Sequence, residues 1–302
     1  VVEKAVLFGP CIGELYWEAA RFAMILPYYK QRKYKNEKIK YVVLTREERF
    51  DLYGKHADVL VPLRIDGDYS KFQPNCYRLE GFAVSKYMNI VKKFYNQYSK
   101  KFSVVEHVYP NISGKNFLDK NQFNQKKMIF DFKPRDENYE LVDNYLPSDG
   151  KPVVVLAPRY RKGFARNWRR WPEFYDLLSQ DKQMMSQYTF VICGKPGEYV
   201  PDEKHRFYDM NDIPLSTGSS KIGLLLVILE RSCFVCGSQS AIPNLGLLYG
   251  KEVLEFGHQK TLHTITYNLF NAPVTFLENK NYDIDPLVFF AEFKKQLTKG
   301  AN

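Results

Sequence analysis

Short apolar runs recur along this chain, separated by stretches whose apolar residues repeat at helical spacing. Residues 4–8 form the first run, Lys4-Ala5-Val6-Leu7-Phe8, closed by Gly9-Pro10. After a turn at Gly13, residues 15–29 carry Phe22, Ile25 and Leu26 at intervals that predict a helix. Further runs at 41–45, 59–61 and 104–108 read as strands, and 84–102 reads as a helix. Strand alternating with helix predicts a parallel, doubly wound sheet. The polar, basic stretch 111–136 has weak periodicity and reads as a long loop or lobe insertion.

Pro147-Ser148-Asp149-Gly150 places turn residues between two such series and is the expected linker. The alternation then resumes, with strands at 153–157, 189–193, 233–236 and 252–256. Helices are expected at 172–183, 221–231, 242–249 and 286–297, the last with Leu287, Phe290, Phe293 and Leu297 on one face. The expected fold class is α/β, with two doubly wound, Rossmann-like domains at 1–148 and 149–302. The last helix is allowed to pack back on the first domain.

Composition narrows the class. Hydrophobic residues make up 45% and charged residues 26%, as in a soluble globular protein. No window approaches the roughly 18 apolar residues of a membrane span. No charged-then-apolar pattern follows Val1, so a cytoplasmic setting is expected (the host cytoplasm for a viral protein). Five scattered cysteines read as reduced thiols, and Cys233-x-x-Cys236 lacks the second pair or histidines of a zinc site. The net charge of +10 implies an anionic partner: nucleic acid, a membrane face or a phosphorylated substrate.

The candidate chemistry follows the predicted strands of the second half. Ligands of open α/β sheets sit beyond the carboxyl ends of the strands. After 153–157 comes Arg159-Tyr160-Arg161-Lys162-Gly163-Phe164-Ala165-Arg166-Asn167-Trp168-Arg169-Arg170, cations interleaved with aromatics. Arginine forks match phosphate oxygens, which makes Arg159, Lys162 and Arg169 candidate diphosphate ligands; a solvated arm is the plainer alternative. After 189–193, Gly194-Lys195-Pro196-Gly197-Glu198 offers a carboxylate for ribose hydroxyls, or is only a turn. After 233–236, Ser238, Gln239 and Ser240 open a helix, where hydroxyls and amides both cap and bind phosphate.

These motifs resemble the GT-B glycosyltransferase family that contains the lipopolysaccharide heptosyltransferases. In that family two such domains face a central cleft. Its first strand leads into a Gly-Asp turn whose carboxylate deprotonates the acceptor, and Ile12-Gly13-Glu14 stands there. Its Lys-x-Trp-Pro element corresponds to Arg169-Arg170-Trp171-Pro172, and its Gly with a following Glu to Gly194 and Glu198. Its Asp-Thr-Gly departs here to Gln239-Ser240-Ala241. Gly13-Glu14-Leu15-Tyr16-Trp17-Glu18 and Arg49-Phe50-Asp51-Leu52-Tyr53-Gly54 also look like elements of viral transferase-like proteins, and phage enzymes that glycosylate DNA bases are similar in architecture.

The resemblance implies metal-independent transfer of a sugar from a nucleoside diphosphate sugar, a UDP-sugar first, with inversion and no further cofactor. Glu14 is the expected base, with Gly13, Tyr16, Trp17 and Glu18 around the acceptor; a carboxylate stabilised at a helix start is the plainer reading of Glu14. The charge points to a hydroxymethylated base in DNA as acceptor. A cell-surface glycan or lipopolysaccharide-type acceptor is the alternative, and a non-catalytic nucleotide- or nucleic-acid-binding protein is a third reading.

Overall fold

A computed structural model describes residues 2–12, 15–64, 82–110, 131–159, 167–195, 197, 203–258 and 268–299. The chain forms two compact units, residues 1–135 and 136–302.

The first unit is built on a four-stranded parallel sheet of β1 (Lys4–Phe8), β2 (Ile39–Thr45), β3 (Val59–Pro62) and β4 (Ser103–Val108), in the order β3-β2-β1-β4. Ala5 to Phe8 are fully buried, which is why β1 reads as an unbroken apolar run rather than an alternation. One face of the sheet packs Leu7, Val42 and Leu44 against Tyr87, Val91 and Phe94 of a helix at Phe82–Tyr98. On the other face Phe8 meets Phe22 and Tyr29 edge-on, at 6.3 and 5.3 Å. Phe22 and Tyr29 belong to a helical stretch over 15–33 that alternates α-helical turns with π turns at Ala19–Ala23 and Tyr29–Lys33. Pro27 lies between the π turns; it lacks an amide proton and cannot continue a regular ladder. Gly9 leaves β1 at φ +95°, and a Cβ there would lie 2.1 Å from the Leu44 carbonyl oxygen.

The second unit begins with a helix at Asp136–Tyr145. Asn138 accepts from the Ser220 amide at 3.0 Å, and Tyr139 donates to Glu230 at 2.6 Å, so this helix belongs with the one at Lys221–Arg231. The units therefore divide between Arg135 and Asp136, and the turn at 147–150 lies inside the second. Its sheet holds β5 (Val153–Ala157), β6 (Thr189–Ile192), β7 (Tyr208–Asp209), β8 (Ser232–Ser238), β9 (Glu252–Gly257) and β10 (Val274–Glu278). All pairs are parallel, in the order β10-β9-β8-β5-β6-β7. Counted within the unit this is 3-2-1-4-5-6, the doubly wound Rossmann order, with its switch point between β5 and β8.

The helix expected over 172–183 is two, Trp171–Gln180 and Lys182–Gln187. Asp181 ends the first, and its carboxylate accepts from the Met184 amide at 3.1 Å to cap the second. The last helix, Pro286–Lys299, packs within the second unit: Phe289 and Phe293 lie 5.0 and 5.4 Å from Phe174. No helix among the described residues is long and apolar enough to cross a membrane.

Candidate functional site

The switch point of the second unit brings two expected segments together. Ala157 at the end of β5 lies opposite Gly237 of β8. A Cβ on Gly237 would sit 2.5 Å from the Ala157 carbonyl oxygen and 2.8 Å from its Cβ, so only glycine lets the strands close here. Two residues past β5, Arg159 reaches across and donates through Nη1 to the backbone carbonyl of Gln239. Gln239 is held from the other side: its amide donates to Phe256 O at 2.9 Å, and its Oε1 accepts from Tyr282 OH at 2.9 Å. Its side chain therefore fastens the end of β8 to the 279–282 turn, and its carbonyl is the group that meets Arg159.

Ser240 is the N-cap residue of a helix at Ala241–Leu248. Its hydroxyl makes no capping bond, and its carbonyl accepts from Asn244 Nδ2 at 2.7 Å. The first amides of this helix and the Ser240 hydroxyl thus lie beside the Arg159 bridge, and a helix start of this kind favours anions. Ser238 differs: it is fully buried, and its Oγ has no hydrogen-bond partner among the described residues. Gly194 follows β6, with its carbonyl 3.3 Å from Asn211 Nδ2. Arg169 is exposed in the turn before Trp171–Gln180, while Arg170 pairs with Glu173 at 2.8 Å and Asp285 at 3.4 Å.

Trp168 corrects the picture of an aromatic-laced basic loop. It is fully buried, donates Nε1 to Ile284 O at 2.9 Å and stacks edge-on against Trp171 at 5.1 Å. Trp171 is equally buried, as its place at a helix start suggests. Tyr160, Lys162, Phe164 and Glu198 lie outside the described residues.

Cys233 is exposed and Cys236 buried, and burial holds the Cys236 thiol well above its ordinary range. Three residues apart in a strand, they point to opposite faces. Two Asp-x-Asp triplets occur, Asp66-Gly67-Asp68 and Asp283-Ile284-Asp285. The first lies outside the described residues. In the second, Asp285 is engaged by Arg170 and by the Leu287 amide at 2.8 Å.

In the first unit, Gly13, Glu14 and the side chains of Tyr16 and Trp17 lie outside the described residues. Glu18 is described, and its carboxylate is engaged inside the first unit. It is fully buried. Oε1 accepts from Thr45 Oγ1 at 2.6 Å and Tyr53 OH at 2.9 Å, and Oε2 from Arg49 Nη1 at 3.2 Å. Both oxygens are thus taken up by side chains of the same unit. Burial lowers the Arg49 pKa while Glu18 raises it, and burial followed by Glu18 holds the Tyr53 hydroxyl well above its usual range. Two residues past Arg49, fully buried Asp51 takes a fork from Arg135 Nε and Nη2 at 3.0 and 2.9 Å. Sequence reasoning missed this pair of carboxylate anchors, although the Gly13 to Glu18 and Arg49 to Gly54 segments that carry them had stood out.

No protein-family model matches the chain, and no curated protein matches it. Solved structures do. The E. coli ADP-heptose LPS heptosyltransferase II superimposes with a TM-score of 0.59 at 10% identity, over 99% of this chain and 100% of that one. A family 9 glycosyl transferase from Veillonella parvula gives 0.53 at 13%, over 98% and 89%. The E. coli heptosyltransferase WaaC with ADP gives 0.51 at 11%, over 97% and 99%. At these identities the likeness concerns the fold. This chain has the α/β, GT-B-like fold of the heptosyltransferases.

Proposed function

We propose that the chain is a glycosyltransferase that moves a sugar from a nucleoside diphosphate sugar, a UDP-sugar first, to a hydroxyl acceptor. The observation that carries this reading is the bridge at the second unit's switch point, Arg159 to the Gln239 carbonyl, beside the helix start at Ser240. The full-length likeness to heptosyltransferases supports it. Residues 136–302 hold the donor and residues 1–135 the acceptor.

Glu14 takes the proton of the acceptor hydroxyl as its oxygen attacks the anomeric carbon. The bond from that carbon to the diphosphate breaks with inversion. The leaving diphosphate gathers negative charge, which Arg159, Lys162, Arg169, the Ser240 hydroxyl and the amides after it stabilise without a metal ion. Gly194 and Glu198 lie along the nucleoside, and the Glu198 carboxylate receives the ribose hydroxyls.

Two observations favour different acceptors. The fold likeness favours a saccharide, since the similar proteins are heptosyltransferases. The charge of +10 favours a polyanion, a hydroxymethylated base in DNA. The donor half is tested by thermal shift. A saturating nucleotide at about 100 Kd adds roughly 2.7 kcal/mol, a rise of several degrees, and Arg159→Ala should abolish most of it. An equal shift in wild type and in a variant with alanine at Arg159, Lys162 and Arg169 removes this loop from the donor site.

A further inference from the structure

The charge of the chain is not shared between its units. Residues 1–135 hold 25 Lys and Arg against 14 Asp and Glu, a net +11, whereas residues 136–302 hold 19 against 20, a net −1. Within the first unit the strand register gathers much of this excess at one place. Lys4, the first residue of β1, lies opposite Ile39 of β2 on one side and Ser103 of β4 on the other. Lys38 and Lys40 flank Ile39, and Lys100 and Lys101 precede Ser103. With neighbouring strands about 4.8 Å apart, these positions lie along a rim about 10 Å across. Lys35 joins them from the turn before β2. All but Lys40 are exposed. Opposing them are Glu3 and Glu37, and Glu37 is spent on Lys4 at 3.2 Å. From residue 82 to residue 105 the chain contains no acidic residue.

We infer that this rim, at the amino ends of the first unit's strands, is a docking surface for the phosphodiester backbone of a nucleic acid. Its charges are lysines, hydrated point charges that grip a backbone without reading bases. A membrane face is the poorer fit, because interfacial surfaces present bulky apolar side chains. The exposed large hydrophobics described in this unit are Val2, Tyr95 and Val105, and of these Val2 alone is on the rim. The rim is at the opposite end of the sheet from the carboxyl ends, roughly 20 Å along a strand of five to seven residues. It is therefore a docking surface and not the acceptor pocket, and it does not depend on glycosyl transfer.

The test is a fluorescence anisotropy titration of the full chain with a 30-base-pair duplex of mixed sequence, without nucleotide donor, at several salt concentrations. Affinity should fall steeply with salt, by a log–log slope of about −0.9 per phosphate contact. K38E/K101E should weaken binding at least tenfold near 0.1 M salt, and K35E/K38E/K100E/K101E should flatten the slope by about 3. K182E/K280E, an equal charge change on exposed positions of the second unit, should stay within about threefold. The corresponding Lys→Gln variants answer the question if a reversal lowers the melting temperature. Equal losses in the rim and remote doubles, or no salt-sensitive binding by wild type, overturn the inference. Binding to phosphatidylglycerol vesicles but not to the duplex overturns it in favour of a membrane.

Discussion

Replacing Glu18 by glutamine separates an anchoring role from a substrate role. The change keeps the shape of the side chain, and an amide oxygen can still accept from Thr45 and Tyr53. The other end becomes an NH2 facing Arg49 Nη1, which now lies 3.2 Å from its carboxylate partner. Both side chains are buried, Glu18 fully and Arg49 to 8% exposure. Arg49 would then be a buried cation facing a donor, and breaking a buried pair from one side costs about 3–5 kcal/mol. That is a large share of the 5–15 kcal/mol typical of a domain. Because two units need not unfold together, the assay is native-state hydrogen exchange on peptides covering β2, with β5 as internal control. Exchange in β2 should accelerate by two to three orders of magnitude with β5 unchanged. A Glu18→Gln protein with β2 protection within threefold of wild type would refute the anchoring role and return Glu18 to the acceptor.

Gly237→Ala puts a methyl group 2.5 Å from the Ala157 carbonyl oxygen; it should cost about 1–3 kcal/mol and reduce the nucleotide-induced thermal shift. A variant with both quantities unchanged would show that the strands can part there freely. Gln239→Ala loses the bond from Tyr282 but keeps the carbonyl that Arg159 meets, so nucleotide affinity should fall less than in Arg159→Ala when the two are compared by calorimetry. In the proposed mechanism cations and helix amides take the role of a divalent ion, so transfer should persist in excess EDTA; strict Mn²⁺ or Mg²⁺ dependence would bring Asp66 and Asp68 forward as ligands.

The sequence carried the sheet well because its central strands are buried on both faces and read as apolar runs; β5 and the helix at Lys221–Arg231 fall where the pattern places them. It failed where burial is slight or the element short. The helix at Asp136–Tyr145 buries only Asn138 and Val142 and so shows little periodicity. Strand β7 is two residues long, and β10 is an edge strand with no fully buried position. Arg159 and Ser240 could be picked out because a strand end and a helix start are local signals. The Glu18 cluster could not, since Thr45, Arg49 and Tyr53 lie 27 to 35 residues away and only the packing of β2 joins them. The burial of Trp168 was not legible, because a buried indole and an exposed one look alike in sequence.

The claim at the centre of this account is sugar transfer with Glu14 as base. Its most direct test is mass spectrometry of acceptors, hydroxymethylated duplex DNA and lipopolysaccharide-core saccharides, incubated with UDP-, GDP- and ADP-sugars and either wild-type protein or Glu14→Gln. The account predicts one added hexose or heptose with wild type, and a rate lower by roughly 10²–10⁴-fold in the variant at unchanged nucleotide affinity. Normal turnover by Glu14→Gln, or nucleotide binding with no transfer to either acceptor class, would contradict it.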